Sequence, residues 1–322
     1  MFGKVAAALR LAGYATVITL ALAGVRTPAR TADKPAYVGP KLCIACHQGM
    51  HSQAVSSWAG SAHARALWEV GAADQTHRIL GDFSKQPPFP RDAVAYVVGA
   101  GVKVQAYLDK DLKVLPGEWV VADKAWRARS ATDAKTDCLG CHTTGYDQDS
   151  GTWVALGVTC EMCHGPGAAH AGSADKKGTI IRPQDLEPAR QAMVCGRCHS
   201  QGKSKDGRFP WAVGYTPGED LDGFYTLNPR IQKGSMNGQY NELRLGGGKH
   251  LPAGTVCTTC HQPHGQAGQP SELKAPVKQL CLSCHEGKLT GAQHSKEALQ
   301  AVNCTVCHMP AGSHRFVPPQ QG

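Results

Sequence analysis

The chain has 322 residues, a formal charge of +9 and only 6% aromatic residues, beside 37 glycines and 20 prolines. This composition argues against an ordinary domain with a large apolar core and is typical of a loop-rich or disordered chain. However, the 14 cysteines and 15 histidines recur in a fixed pattern, which predicts another source of buried apolar surface.

The first 23 residues predict a secretory signal peptide. Lys4 and Arg10 form a positive region, residues 11–22 are apolar, and Ala21-Leu22-Ala23 fits a small-x-small cleavage site. Cleavage as late as about residue 32 fits the same pattern. The alternative is an uncleaved N-terminal anchor, although the apolar run is shorter than the ~20 residues that span a bilayer. We therefore expect a periplasmic or extracellular protein, for which the membrane is otherwise only a secretion route.

Seven Cys-x-x-Cys-His motifs follow, and together they contain every cysteine of the chain. Two cysteines three apart lie on one helical turn, so both sulfurs reach the vinyl groups of one porphyrin. The next residue, His, lies under the iron and becomes its proximal ligand. Chance would give roughly 0.03 copies at this composition. The sequence therefore predicts seven covalently bound haem c groups.

The predicted thioether residues are Cys43, Cys46, Cys138, Cys141, Cys160, Cys163, Cys195, Cys198, Cys257, Cys260, Cys281, Cys284, Cys304 and Cys307. The predicted proximal iron ligands are His47, His142, His164, His199, His261, His285 and His308. Zinc sites also use cysteine pairs, but they place two pairs about one ion and need no His after each pair. Redox dithiols occur once per domain, and a disulfide framework does not predict the invariable His.

The predicted haem groups lower the net charge of the protein. Cleavage of the signal peptide removes Lys4 and Arg10, which lowers the charge from +9 to +7. Each oxidised haem contributes about −1 and each reduced haem about −2, because of its two propionates. The holoprotein is then near neutral when oxidised and acidic when reduced. The basic sequence therefore does not predict nucleic-acid binding.

Between the first and second motifs the sequence predicts a helix and then a small sheet. Residues 48–70 place apolar side chains at helical spacing. Residues 94–121 contain three strand-like runs, 96–98, 102–108 and 119–121, which are separated by Gly, Asp-Lys-Asp and Pro-Gly turns. We expect a small antiparallel meander here.

A single heptahaem domain is predicted over residues 36–318, mainly α with much irregular chain, packed around stacked haems. A helix over residues 187–197 leads into the fourth motif, and Ser295 would cap another helix before the seventh. The predicted parts are haem 1 with the β insertion at 41–130, haems 2–4 at 138–199, a haem-free wrapping segment at 200–256, and haems 5–7 at 257–308.

Eight histidines remain as candidates for the second axial position of the irons. An iron with two His ligands is six-coordinate and closed to substrates. Seven haems need seven distal ligands, so eight candidates suffice. The eight are His51, His63, His77, His170, His250, His264, His294 and His314.

Several runs in and around the motifs carry a family resemblance: Tyr37-Val38-Gly39, Trp58-Ala59-Gly60-Ser61-Ala62-His63-Ala64, Cys141-His142-Thr143-Thr144-Gly145-Tyr146, Gly157-Val158-Thr159-Cys160-Glu161-Met162-Cys163-His164-Gly165-Pro166-Gly167, Lys249-His250, Cys260-His261-Gln262-Pro263-His264-Gly265 and Cys307-His308-Met309-Pro310. They resemble the multihaem cytochromes c related to the tetrahaem cytochrome that accepts electrons from hydroxylamine oxidoreductase. The resemblance extends over about residues 37–316. It is specific for the haem architecture and not for one physiological role.

The resemblance implies distal ligands at the His of Ser-x-His-Ala, Gly-Pro-Gly-x-x-His, Lys-His and Cys-His-x-Pro-His-Gly, which are His63, His170, His250 and His264. His294 and His314 flank the seventh motif in positions similar to those of distal ligands. The seventh ligand is left to His51, His77, a methionine or no residue at all. The candidate methionines are Met50, Met193, Met236 and Met309.

Electron transfer is the favoured function, with no catalytic residue assigned, because bis-His ligation blocks substrate. The expected partners are other redox proteins, such as cytochromes, a quinol dehydrogenase or a terminal reductase, and an oligomer or filament is a variant. The alternative is an oxidoreductase that acts on a small nitrogen or sulfur species at one open haem. Four tyrosines are available there for a haem crosslink, although no motif selects one: Tyr146, Tyr215, Tyr225 and Tyr240. A structural or anchoring subunit is a third alternative.

Overall fold

A computed structural model describes residues 36–71, 78–230, 237–265, 272–288, 294 and 303–316. All of them belong to the compact unit Pro35–Gly322. The predicted signal peptide, His77, Met236 and the predicted cap Ser295 lie outside the described residues. Within the described ranges, no helix is long and apolar enough to cross a bilayer.

The helices are short, and most of them hold a Cys-x-x-Cys-His motif. One helical turn is enough to present two cysteines to one side, so the sequence needs no long helical pattern at these places. In chain order the helices are α1 Pro40–Met50, α2 Ser52–Ala59, α3 Ala134–Asp137, α4 Leu139–His142, α5 Cys160–His164, α6 Ala168–Gly172, α7 Pro188–Gly196, α8 Gln239–Leu245, α9 Cys257–Cys260, α10 Val277–His285 and α11 Cys304–His308.

The helix predicted over residues 48–70 is wrong beyond Ala59. Helix α2 ends there, and the chain turns before it enters a strand at Leu67. Ser61 favours the turn because its side-chain oxygen accepts a hydrogen bond from the backbone N–H of Ala64, at 3.2 Å. Such local bonds compete with helical ones. The helix predicted over residues 187–197 matches α7.

A five-stranded antiparallel sheet fills the interval between the first two motifs, in the strand order β1-β2-β3-β4-β5. The predicted meander is therefore confirmed, with one additional strand on each side. Two small two-stranded sheets lie elsewhere in the described residues. One pairs β6 with β7, and the other pairs β8 with β9. The strands are β1 Leu67–Glu69, β2 Tyr96–Val98, β3 Val104–Leu108, β4 Val114–Val120, β5 Ala125–Ala128, β6 Thr143–Thr144, β7 Ala155–Leu156, β8 Gly202–Ser204 and β9 Tyr225–Leu227.

Pro116 and Gly117, which were expected to form a turn, lie inside strand β4. The register between β3 and β4 shifts there, from Ala106 opposite Glu118 to Leu108 opposite Val114. A proline has no N–H to donate, and an irregular pairing tolerates its absence.

The sheet packs against the second motif. Leu67, Leu108 and Val114 are buried in one cluster with Cys138 and Leu139, which begin that motif. A second cluster contains Phe89, Val97, Tyr107 and Trp119, with Phe83 and Trp126 packed against it. The β insertion therefore has its own aromatic core and also covers one haem-binding motif.

The segment 200–256, which was expected to wrap the haems as irregular chain, also builds a core. Tyr215, Leu221, Tyr225 and Tyr240 are buried together with Met193 of α7. The tyrosines are too widely spaced for a periodic pattern, so the sequence alone did not reveal this cluster.

Candidate haem-binding sites

The seven Cys-x-x-Cys-His motifs are numbered sites 1 to 7 in chain order. All fourteen cysteines lie in the described residues and form no disulfide bonds. Sites 1, 3, 6 and 7 lie on helices that contain the whole motif, and the other three sites extend past a helix end. Each arrangement keeps two sulfurs and one imidazole close together, as covalent attachment of haem c and ligation of its iron require.

Six pairs of imidazole rings share one geometry. In each pair one ring belongs to a motif and the other to a predicted distal histidine, and the ring centroids are 6.0–6.2 Å apart. A metal lies about 2 Å from a ligating imidazole nitrogen, so two imidazoles on opposite sides of one metal have centroids roughly 6 Å apart. The pairs are His47–His170, His63–His199, His164–His264, His250–His285, His261–His314 and His294–His308.

This spacing is wider than that of His47 and His51, whose rings stack with centroids 5.2 Å apart. It leaves room for an atom that both rings can bind. The structure thus brings all six predicted distal histidines opposite a motif histidine. In five of the six pairs, the distal histidine faces the motif histidine of a site other than the one that it lies next to in the sequence. His170, for example, follows site 3 but faces His47 of site 1.

Hydrogen bonds at the Nδ1 atom orient five of the imidazoles. A carbonyl oxygen only accepts, so each of these Nδ1 atoms carries the proton and leaves Nε2 free to bind a metal. The Nδ1 atoms of His63, His142, His164, His170 and His314 donate to the carbonyl oxygens of Pro263, Ala66, Ile181, Lys176 and Gly312, over 2.8–3.2 Å.

The surroundings also favour neutral rings. Desolvation by the surrounding atoms lowers the pKa of His199 to about 4, although the residue is partly exposed, and the nearby His63, His261 and His314 add to this effect. Burial likewise lowers the pKa of His142. A metal binds only the neutral imidazole, so the two shifts keep these rings ready to act as ligands.

Site 2 differs from the other sites. Among the described residues, no second imidazole faces His142 at the spacing of the six pairs. His51 does not supply one, since its ring stacks on His47 with centroids 5.2 Å apart, and His77 is not among the described residues. Of the candidate methionines, Met193 is buried in the tyrosine cluster and Met50 is 67% exposed.

Two glutamates that the sequence analysis missed hold distal histidines in place. Glu272 accepts a hydrogen bond from the backbone N–H of Ala62, at 2.7 Å, and lies 3.6 Å from the Nδ1 atom of His63. Glu242 accepts from the backbone N–H of His314, at 2.7 Å. Neither glutamate lies in a motif, and both act on residues that are distant in sequence, so no sequence signal marks them.

Cysteines of different sites lie against one another. The contact between Cys43 and Cys160, together with burial, raises the pKa of the Cys43 thiol. Because these sulfurs would attach to the porphyrins, haems held at two such sites would lie close to each other. The four thiol contacts are Cys43–Cys160 between sites 1 and 3, Cys141–Cys198 between sites 2 and 4, Cys195–Cys257 between sites 4 and 5, and Cys281–Cys304 between sites 6 and 7.

Two looser approaches complete the series. Burial raises the pKa of Cys163 of site 3 to about 11, and the neighbouring Cys198 of site 4 adds to the rise. Burial also raises the pKa of Cys260 of site 5, with a further contribution from Cys284 of site 6. The sites therefore follow one another in the order 1–3–4–5–6–7, with site 2 beside site 4.

The fold and the sites define a multihaem c-type cytochrome, which binds haem c covalently through its Cys-x-x-Cys-His motifs. Two family models match parts of the chain. Residues 250–290 match the doubled CXXCH motif, and residues 118–165 match the family of cytochrome c554 and c-prime. The chain thus belongs to the multihaem c-type cytochromes, as the resemblance implied.

Known relatives agree with this assignment. The multiheme cytochrome MtrA of Shewanella baltica (strain OS185) is 26% identical over 227 residues, which cover 61% of this chain and 67% of the relative. Cytochrome c-554 of Nitrosomonas europaea is 26% identical over 217 residues, 61% of this chain and 71% of the relative. The crystal structure of the outer cell wall cytochrome OcwA has the same fold, with a TM-score of 0.71, 23% identity and coverage of 87% of this chain and 79% of OcwA.

Proposed function

We propose that this cytochrome carries electrons between redox proteins through seven haems, of which at least six have two His ligands. The six imidazole pairs at 6.0–6.2 Å are the observation that carries the proposal. An iron held by both rings of a pair has no free position for a substrate. Such an iron changes only its oxidation state, which is the property of a carrier.

The order of the sites supports a continuous relay. Adjacent cysteines bring neighbouring haem edges together along the order 1–3–4–5–6–7, so electrons would pass from one end of this series to the other. Sites 1 and 7 form its two ends, and the three exposed cysteines, Cys46, Cys284 and Cys307, belong to site 1 and to the last two sites of the series. Partner proteins would bind transiently at these ends.

The proposed location is the periplasm or the cell exterior. The predicted signal peptide at residues 1–23 supports export. The proposed partners are cytochromes, a quinol dehydrogenase or a terminal reductase. Assembly into an oligomer or filament is compatible with the same relay.

Kinetics distinguish a carrier from an enzyme. The fully reduced protein is mixed with an oxidised partner cytochrome, and in parallel with nitrite, hydroxylamine or tetrathionate in the presence of a redox dye. A carrier exchanges electrons rapidly with the cytochrome and turns over none of the small molecules. Turnover of at least ~1 s⁻¹, the low end for ordinary enzymes, would overturn the proposal.

A second function, reduction or oxidation of a small nitrogen or sulfur species, is proposed only for site 2. His142 is the one motif histidine that faces no other imidazole at this spacing within the described chain. Of the four tyrosines available for a haem crosslink, Tyr146 packs against the cluster that contains Cys138, and its hydroxyl donates to the carbonyl oxygen of Lys135. If the protein is an enzyme, loss of turnover in a His142→Ala variant, with turnover retained in a His308→Ala variant, would assign the chemistry to site 2.

A further inference from the structure

Two charged side chains lie inside haem-binding motifs and have no partner of opposite charge among the described residues. Glu161 stands between the cysteines of site 3, and Arg197 stands between those of site 4. Charges in such positions are screened little by solvent. They therefore act on the oxidation state of any iron close to them.

Glu161 is a desolvated anion at the junction of sites 1 and 3. Its side chain is 1% exposed. Its carboxylate accepts hydrogen bonds from the backbone N–H groups of Val38, Gly39 and Gly167, over 2.7–2.9 Å. Both oxygens thus face N–H donors, which is the pattern of an ionised carboxylate.

The contacts of Glu161 place this charge beside site 1 as well as site 3. Gly39 precedes helix α1, which carries site 1, and its carbonyl oxygen lies 3.5 Å from the sulfur of Cys43. Glu161 directly follows Cys160, the cysteine that contacts Cys43. One negative charge therefore lies next to the attachment points of two haems.

Arg197 is a cation where sites 2, 3 and 4 approach one another, since its charge also acts on the thiol of Cys163 of site 3. Its Nη1 atom is buried and has no hydrogen-bond partner in the described chain. The guanidinium lies over the ring of Tyr215, 5.5 Å from the ring centre. The carbonyl oxygen of Arg197 lies 4.0 Å from the sulfur of Cys141 of site 2. An arginine keeps its charge in proteins, so this junction carries a fixed positive charge.

Reduction adds one electron to a haem, so a nearby anion disfavours it and a nearby cation favours it. We propose that Glu161 and Arg197 act as positioning charges that give the relay a direction. Glu161 lowers the reduction potential of site 1, Arg197 raises those of sites 2 and 4, and site 3, which lies beside both charges, takes an intermediate value. Electrons that enter at site 1 then pass to haems of higher reduction potential as far as site 4. There the series branches towards site 2 and towards sites 5–7.

This inference rests on the proposed electron-transfer function, and its test needs haems that can be observed singly. Removal of a distal histidine supplies them. His170→Ala is expected to make the haem of site 1 high-spin, and His63→Ala that of site 4, because these rings face His47 and His199. The potential of each marked haem is read from its high-spin absorption band in a spectroelectrochemical titration.

Glu161→Gln, added to His170→Ala, should raise the reduction equilibrium constant of the site 1 haem about tenfold, which corresponds to about 59 mV. Arg197→Gln, added to His63→Ala, should lower that of the site 4 haem by a similar factor. The crossed combinations should change less. Arg197→Lys keeps the charge and should leave the potential of site 4 near that of the His63→Ala parent.

Three results would overturn the inference. They are an unchanged potential in both variants, a shift of opposite sign, and an Arg197→Lys shift as large as that of Arg197→Gln, which would indicate a structural effect. If Glu161→Gln loses haem, as measured by the pyridine haemochrome assay, the test rests on Arg197→Gln and Arg197→Lys. These two variants then show whether the charge changes the potential of the site 4 haem in the proposed direction. If the marker variants show no high-spin band, the ligand assignment has failed, and with it the proposed function.

Discussion

At the scale of the residue, the position of one proton decides how an imidazole can be used. The backbone carbonyl oxygens of Lys176 and Ile181 take the Nδ1–H of His170 and His164, so the Nε2 atoms point away from these bonds. Short motifs were enough to name these histidines as candidate iron ligands. Which ring faces which could not, because the two rings come from distant parts of the chain.

The His170→Ala variant tests one pair. We expect one haem, that of site 1, to lose its second ligand and become high-spin, while both thioether bonds remain because they depend on Cys43 and Cys46. Electron paramagnetic resonance of the oxidised protein measures the change. His51→Ala is the matched control, since His51 lies beside His47 and not opposite a motif ring at the common spacing. A high-spin signal in His51→Ala and none in His170→Ala would refute the assignment.

At the scale of the element, the sheet between sites 1 and 2 shows how far patterns reach. Alternating apolar residues predicted its central strands. Strand β1 was missed because its three residues, Leu67–Glu69, continue the apolar spacing of helix α2. Its pairing with β2, with Trp68 opposite Val97, is a tertiary contact that overrides the local pattern.

Glu118 of strand β4 gives a test of the stability of the sheet. Its side chain is 8% exposed and pairs with Arg127 of strand β5 and with Arg129 just after that strand, the latter at 2.6 Å. Glu118 accepts three charge-assisted hydrogen bonds from these two arginines. Bonds of this kind are worth roughly 1.5–3 kcal/mol each. Replacement by Gln removes the charge from all three, but burying a neutral side chain costs less than burying a charged one, which offsets part of the loss. We expect a loss of about 2 kcal/mol, measured as reduced hydrogen-exchange protection of β4 and β5.

The same carboxylate predicts a pH dependence. Burial alone would raise the pKa of Glu118, but the hydrogen bonds from Arg127 and Arg129 outweigh it and lower the pKa below the ordinary value of 4.5. A lowered folded-state pKa stabilises the fold above the unfolded-state pKa, and this contribution is lost as the pH falls through the folded-state pKa. The difference between wild type and Glu118→Gln in urea unfolding should therefore be present at pH 7 and shrink below about pH 4. A difference that grows in acid would contradict the ion-pair account.

At the scale of the whole molecule, the imidazole pairs join segments of the chain that are distant in the sequence. His63 follows site 1 and faces site 4, while His314 follows site 7 and faces site 5. Each such haem would bridge two segments and bury its apolar faces between them. Burial of haem faces between segments would account for the folding of a chain with few aromatic residues. The pairing of the rings depends on contacts between distant segments, which no local sequence pattern encodes.

The count of haems is a prediction at this scale. Because every cysteine belongs to a motif, the mature protein should carry seven haems and no free thiol. Intact mass spectrometry and the pyridine haemochrome assay measure the two numbers independently. Five or fewer haems per chain, or thiols that react with a maleimide under denaturing conditions, would show that some motifs stay empty.

The central claim, that at least six of the irons are closed by two histidines, is tested most directly by counting open irons. Carbon monoxide is titrated into the fully reduced protein, and the bound ligand is counted from the change in the haem absorption bands. We predict at most one carbon monoxide per chain, bound at site 2, where His142 faces no second imidazole in the described chain. Binding of two or more would mean that at least one imidazole pair does not enclose an iron, and the account of a closed relay would be wrong.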